Sequence, residues 1–261
     1  MGELRILACV KRVPAPGARI TLTADHSGID TKNLGFTTSP HEECAVEEAI
    51  LLVENHGGSV TVLTLGAPEA EEQLRYAVSV GVARAVHITH PALVGGGDLD
   101  PQATAGALVE TIRSLEAADG VFDLMLFGNE SADSGGFQVG VRVARSLGRP
   151  IVNGIKSVAV GDHVVTVHRE SASGFEVYEL PLPAALGVKE GLNLPRYPTL
   201  PGRLKSKKVE VAVVESAVPC GGLATLQFEN AAEQVTNTTL LGSGPESAPA
   251  IVDLLEELGL L

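Results

Sequence analysis

The sequence predicts an α/β fold: a mostly parallel sheet with helices on both faces, an antiparallel edge hairpin, and an extended C-terminal arm. Short apolar runs rich in β-branched residues alternate with longer stretches at helical spacing, the pattern of βαβ units joined by right-handed crossovers. The chain is 44% hydrophobic but only 3% aromatic, so its core rests on Val, Leu, Ile and Ala, a mix that suits a helix-covered parallel sheet. Beyond Pro150 the pattern changes to short strands separated by turn dipeptides, which marks hairpins.

Taken in order, the expected parallel strands are 4–9, 59–65, 85–88 and 122–127. The helix between the first two, 43–54, carries Ala45, Val46, Ala49, Leu52 and Val53 on one face and acids on the other, the amphipathic signature of a helix lying on a sheet. Further helices are expected at 69–80, 101–115 and 138–147. Strands at 158–160, 164–169 and 175–180, with turns at Gly161-Asp162 and Ser173-Gly174, form the hairpin, either on the edge of the same sheet or as a small addition. From Leu192 the chain is turn-rich, then runs through Lys205, Lys207 and Lys208 into the apolar stretch 209–214. The division expected is a main α/β domain over 1–215 and an arm over 216–261. Ile251, Leu254, Leu255 and Leu258 form a stripe on the last helix that needs another surface, expected on a partner chain.

Composition excludes several classes. A formal net charge of −13 argues against sequence-independent nucleic-acid binding, which depends on Lys and Arg neutralising phosphates. Cys9, Cys44 and Cys220 are odd in number and lack CxxC spacing, so neither a disulfide framework nor a zinc site is expected. The opening MGELRILACVKRVP has too short an apolar run for a signal peptide, and no stretch is long enough to insert stably in a membrane. A cytoplasmic protein is expected, or one of the mitochondrial matrix in a eukaryote.

No catalytic set emerges: HExxH, GxSxG and GxxxxGK[ST] are absent, and the scattered histidines do not pair with Cys or acids at ligand spacing. An enzyme with its own nucleophile is not expected. The ends of the parallel strands are more informative, because open parallel sheets bind ligands there. Three such ends stand out: Cys9-Val10-Lys11, Leu65-Gly66, and Gly128-Asn129 leading through Ser131-Ala132-Asp133-Ser134-Gly135-Gly136-Phe137 into Gln138-Val139-Gly140. In the last, small residues let the backbone approach a ligand, and the helix start aims free N–H groups at an anion such as phosphate. The competing reading is that Asp133 and Ser134 cap the helix while the glycines make a turn. Lys11-Arg12 likewise reads as either a solvated pair or a charge facing the crevice.

These segments, in order and spacing, resemble the electron-transfer flavoprotein beta-subunit family. The pieces are ELRILACVKRVP, SPHEECAVEEAILL, VTVLTLG, LRYAVSVGVARAVHI, DLMLFGNESADSGGFQVG and LPLPAALGVKEGLNLPRYPTLPGRLKSKK, over about residues 3–215. The resemblance implies a Rossmann-like, adenine-nucleotide-binding domain in a heterodimer. The alpha subunit of that heterodimer carries a redox-active FAD, and the beta subunit holds AMP or, in electron-bifurcating members, a second FAD. Carried over by position, it implies a nucleotide pocket lined by Cys9, Lys11, Ser39, Leu63, Leu65, Gly128, Asp133, Ser134, Gly135, Gly136, Phe137, Gln138, Val139 and Gly140. It also implies that Leu192 is an exposed leucine docking on client dehydrogenases, and that electrons pass onward to a quinone reductase. An exposed leucine is ordinary on any surface, so local packing is the competing role for Leu192.

The sequence departs from the family pattern at Ser39-Pro40-His41-Glu42, where Asn-Pro and an aromatic are usual. His41 either stacks on a base in place of that aromatic or sits exposed. Asp133-Ser134-Gly135-Gly136 carries one acid fewer than usual, and Ala15-Pro16 replaces residues often found near the partner's flavin. Two other classes are weighed. A stand-alone ATP-binding sensor of the stress-protein type would need a GxxG phosphate loop late in the chain. An adenylate-transferring enzyme would need SGGxDS after the first strand, where Val13-Pro14-Ala15-Pro16 stands.

Overall fold

A computed structural model describes residues 2–94, 97–231 and 238–261. The elements of the main unit, in chain order, begin with strands β1 (Leu4–Cys9), β2 (Val13–Pro14) and β3 (Phe36–Thr37), helix α1 (Pro40–His56), strand β4 (Gly58–Leu65), helix α2 (Glu71–Val80) and strand β5 (Arg84–Thr89). Helix α3 (Pro101–Asp119), strand β6 (Leu124–Gly128), helix α4 (Val139–Ser146) and strands β7 (Ile151–Val160), β8 (Val164–Ser171), β9 (Gly174–Pro181) and β10 (Ala184–Val188) follow. Helix α5 (Leu200–Ser206) and strand β11 (Val211–Glu215) complete it. Contacts divide the chain after Phe228, and the unit from Glu229 onward contains helix α6 (Ala248–Glu257).

The main sheet has nine strands in the order β11-β5-β4-β1-β6-β10-β7-β8-β9, and only β8 and β9 run antiparallel to their neighbours. The hairpin therefore extends the same sheet at one edge. Side chains of β1 alternate between two cores. Leu4, Ile6 and Ala8 join residues of α1 and α2 on one face, while Leu7 and Cys9 join α3 and α4 on the other. The period-two geometry of a strand requires this separation.

Strand order explains where the chain opens. After β1 it leaves by α1 toward β4, and after β5 it crosses back by α3 to place β6 on the other side of β1. The loops after β1 and β6 thus diverge to opposite faces although the strands are neighbours. That is a topological switch point, the place where doubly wound sheets form a crevice.

The expected elements are present with longer bounds. Helix α1 begins at Pro40 rather than 43 because Ser39 and Glu42 form a complete capping box, with Pro40 at the first helical position, where its missing N–H costs nothing. Two features differ from expectation. Strand β10, wholly buried between β6 and β7, was not among the expected strands. Strand β7 begins at Ile151 rather than 158, its first half pairing parallel with β10 and its second half antiparallel with β8. Helix α5 packs on α2 at Gly202, where a Cβ would stand 2.1 Å from the Ser79 carbonyl oxygen. Past β11 the chain stays on the main unit: the Ser216 N–H donates to Thr89 O, the His90 ring bonds Val218 O at 2.8 Å, and the Leu223 N–H reaches Asp100.

Candidate functional site

At the switch point three chain segments meet. From the end of β1, Lys11 reaches across the crevice, its Nζ donating to Ser131 Oγ at 3.1 Å and lying 2.7 Å from Asp133 Oδ2 on the loop after β6. Burial works against ionisation of Asp133, yet the Lys11 ammonium and the Ser131 hydroxyl hold its carboxyl below the ordinary range. Arg12 turns away and stacks on Phe36, 3.5 Å from the ring centroid. Lys11 and Arg12 are therefore not a solvated pair.

The third wall is the start of α1. Ser39 is buried, its hydroxyl accepting from the Glu42 N–H at 3.2 Å while the Glu42 carboxylate accepts from the Ser39 N–H at 3.3 Å. Glu42 also accepts a backbone hydrogen bond from Lys11, so one buried carboxyl joins the α1 cap to the end of β1. Its enclosure raises its pKa to about 7. Opposite it, Gly128 permits the approach, since a Cβ there would stand 2.7 Å from Glu42 Cγ. Burial, and secondarily the charge of Glu42, pushes the Cys9 thiol up, which leaves it without thiolate reactivity at neutral pH. Glu42 was absent from the sequence expectation, although Ser-Pro-x-Glu before an apolar run is the capping-box signal.

Helix α4 begins beyond the loop. Its N-cap is Gln138, whose side chain makes no capping bond and instead accepts from Arg142 at 2.9 Å. Asp133 and Ser134 do not cap this helix, which corrects the capping reading: Asp133 is taken by Lys11, and the loop closes on itself through Gly135 N–H to Ser131 O and Ser131 N–H to Gly136 O. Gly135 sits at φ +61, a conformation glycine adopts without strain. Gly140 lies on Phe127, whose ring would be 3.1 Å from a Cβ at that position.

Of the remaining expected residues, Phe137 is exposed, Val139 packs into the α3–α4 core, and Leu65 ends β4 half-buried. Leu63 lies under the crevice rather than in it: its side chain is fully buried and its carbonyl accepts the Val10 N–H. Leu192 stands away from this cluster and packs, half-buried, against the core under α1, whereas Leu194 is 90% exposed. His41 does not stand free, because both of its ring nitrogens have partners. Its Nδ1 accepts the Glu190 N–H at 2.8 Å and its Nε2 lies 3.4 Å from Glu130.

The acidic face of α1 is partly covered rather than fully open to solvent. Glu47 and Glu48 are buried because the segment between β10 and α5 lies across them and supplies donors. Arg196 Nε lies 2.9 Å from Glu47, and its Nη1 and Nη2 pair with Glu54 at 2.7 and 2.9 Å. Asn193 Nδ2 donates to Cys44 O and Glu48, each at 3.0 Å. No cluster able to hold a metal ion occurs among the described residues.

Residues 28–219 match the model of the electron transfer flavoprotein domain family. The chain is similar to the electron transfer flavoprotein subunit beta of Mycobacterium tuberculosis, 32% identical over 93% of this chain and 89% of that protein. It is similar to the subunit of the same name from Bacillus subtilis, 35% identical over 68% and 66% of the two chains. It is likewise similar to Protein FixA of Azorhizobium caulinodans, 31% identical over 84% and 80%.

Proposed function

The chain belongs to the electron transfer flavoprotein beta-subunit family, and from that membership we propose that it is the small subunit of a heterodimer that carries electrons between enzymes. The alpha subunit holds FAD, which supplies the capacity to accept and release electrons. Client dehydrogenases deliver them and a quinone reductase removes them. This chain contributes placement and docking rather than bond chemistry.

The crevice at the switch point is the proposed site for AMP. The observation that carries this assignment is the meeting of Lys11, the closed Ser131–Gly136 loop and the uncapped start of α4 at one strand-end crevice. An uncapped helix start offers N–H donors to a phosphate. Lys11 adds a cation already aimed by Asp133 and Ser131, and Gly135 and Gly136 leave room for close backbone approach. Gln138, with its oxygen held by Arg142, fixes the turn into the helix. The exposed Phe137 borders the same opening. The C-terminal arm, whose α6 leaves Ile251, Leu254 and Leu258 exposed, is proposed to pack on the alpha subunit.

The test is co-expression with the large subunit, followed by anaerobic mixing with an acyl-CoA dehydrogenase and its acyl-CoA. Bleaching of the bound flavin's visible absorbance at substoichiometric dehydrogenase is expected. A complex that holds flavin but is not reduced under these conditions would contradict the carrier role.

A further inference from the structure

A narrow cleft lies between α1 and α2, on the side of the sheet away from α3 and α4. The segment between β10 and α5, exposed at Leu194 and Tyr197, closes on it with Pro195 and Arg196. Val10 and Thr38 also line it, each one residue ahead of the crevice residues Lys11 and Ser39. With its mouth the cleft encloses about 340 Å³, and its interior has room for about one water-sized group.

Gln73, on α2, lines the cleft and is only 4% exposed, and its amide oxygen is buried without a hydrogen-bond partner. An apolar residue could be buried there at lower cost, so the amide is accounted for by a donor that enters the cleft. On the facing helix the half-buried Glu43 carboxyl is pushed above its ordinary range by burial and by the charge of Glu190, with no cation to offset either. Arg196, the cation in the lining, is shared between the buried Glu47 and Glu54. Unpaired acceptors and excess carboxylate charge exclude an anion. A bare hard cation needs a cage of oxygens, whereas much of this wall is Val46, Ala77, Val80 and Pro195. A wholly apolar ligand would leave the Gln73 oxygen unpaired. What remains is a cation with N–H donors at one end and an apolar body. Tyr76 adds an aromatic ring to the lining, a favourable neighbour for an ammonium group.

We propose that this cleft binds the ammonium group of a small primary alkylamine. The ammonium donates to the Gln73 amide oxygen and the Glu43 carboxylate, and the alkyl chain lies along Val46, Val80 and Pro195 toward the mouth. The ligand joins α1 to α2 and stabilises the folded chain in proportion to its occupancy. The site is separate from the nucleotide crevice and does not depend on the carrier role.

The experiment titrates the 261-residue chain with n-butylammonium chloride by calorimetry, at an ionic strength fixed with sodium chloride. One saturable site with a Kd of about 1 mM is expected, together with a rise in the thermal unfolding temperature as the amine is added. The neutral n-butanol should bind at least about ten-fold more weakly, and potassium chloride should not saturate the site. Gln73→Leu, close in volume but apolar, and Glu43→Gln, at a half-buried position, should each weaken amine binding about ten-fold. Thermal unfolding without ligand checks that both variants fold, and Glu43→Gln decides the matter if Gln73→Leu does not. No saturation by about 50 mM amine overturns the proposal. So does undiminished binding in Glu43→Gln, which places the amine elsewhere on an acidic surface. Equal saturation by n-butanol or by potassium chloride overturns it as well, by making the charge or the alkyl chain irrelevant. Saturation of the chain alone that is lost in the co-expressed heterodimer gives the cleft to a lysine side chain of the large subunit and removes the diffusible amine.

Discussion

A carboxyl group enclosed between Cys9, Lys11 and Gly128 is either neutral or stabilised by hydrogen bonds, and Glu42 sits between these limits with its pKa raised to about 7. Because the folded-state value lies above the ordinary 4.5, the folded chain binds this proton more tightly than the unfolded one. The contribution to stability is full below the unfolded value and is lost as pH rises through about 7, amounting to about 3 kcal/mol at most. Glu42→Gln keeps a capping-box partner without the charge, so urea denaturation at pH 8 should show it more stable than wild type, with the difference vanishing near pH 5. Equal stabilities at both pH values would contradict this. Gly128→Ala places a methyl against Glu42 Cγ and should cost about 1–3 kcal/mol and weaken AMP retention, measurable by nucleotide release and thermal unfolding. Some of this was legible in residue order. Lys11, Asp133 and the glycines were expected at the strand ends, and the structure brings Lys11 and Asp133 together across the crevice. Glu42 and His41 were not expected to join segments far apart in sequence, because hydrogen bonds such as that from Glu190 to His41 leave no local periodicity.

At the scale of elements, α1 is the link between the crevice and the exposed segment. Its N-cap faces Lys11 and its acidic side holds Asn193 and Arg196. Arg196→Ala would leave the buried Glu47 without a charged partner and is expected to cost about 2–4 kcal/mol. A double-mutant cycle with Glu47→Gln should return a coupling above about 1 kcal/mol, and additive effects would show that the pair is only a surface contact. Helices α2 and α3 were legible because their apolar spacing coincides with the face they bury. Strand β10 was not, since AALGV between Pro183 and Lys189 has neither alternation nor enough β-branching, and it becomes a strand only because β6 and β7 cover both its edges. The covering of the α1 acids was not legible for a related reason: helical spacing shows a polar face, but not that a distant loop will cover it.

For the whole molecule, the helix-covered parallel sheet followed from the βα alternation, the sheet order and switch point emerged only in the structure, and the proposed completion by a larger flavin-bearing chain rests on family membership. The described residues contain no helix long and apolar enough to cross a membrane. The domain's own chemistry is sparse: the Cys9 thiol is driven away from ionisation, and the crevice offers donors and one aimed cation rather than a nucleophile. Such a crevice suits the nucleotide proposed for it, with the redox centre proposed for the partner. The most direct measurement is the amount of FAD and AMP released by acid from the purified co-expressed complex. One FAD and one AMP per heterodimer is the predicted result. Two FAD and no AMP, or a chain that purifies as a homodimer with ATP, would contradict it.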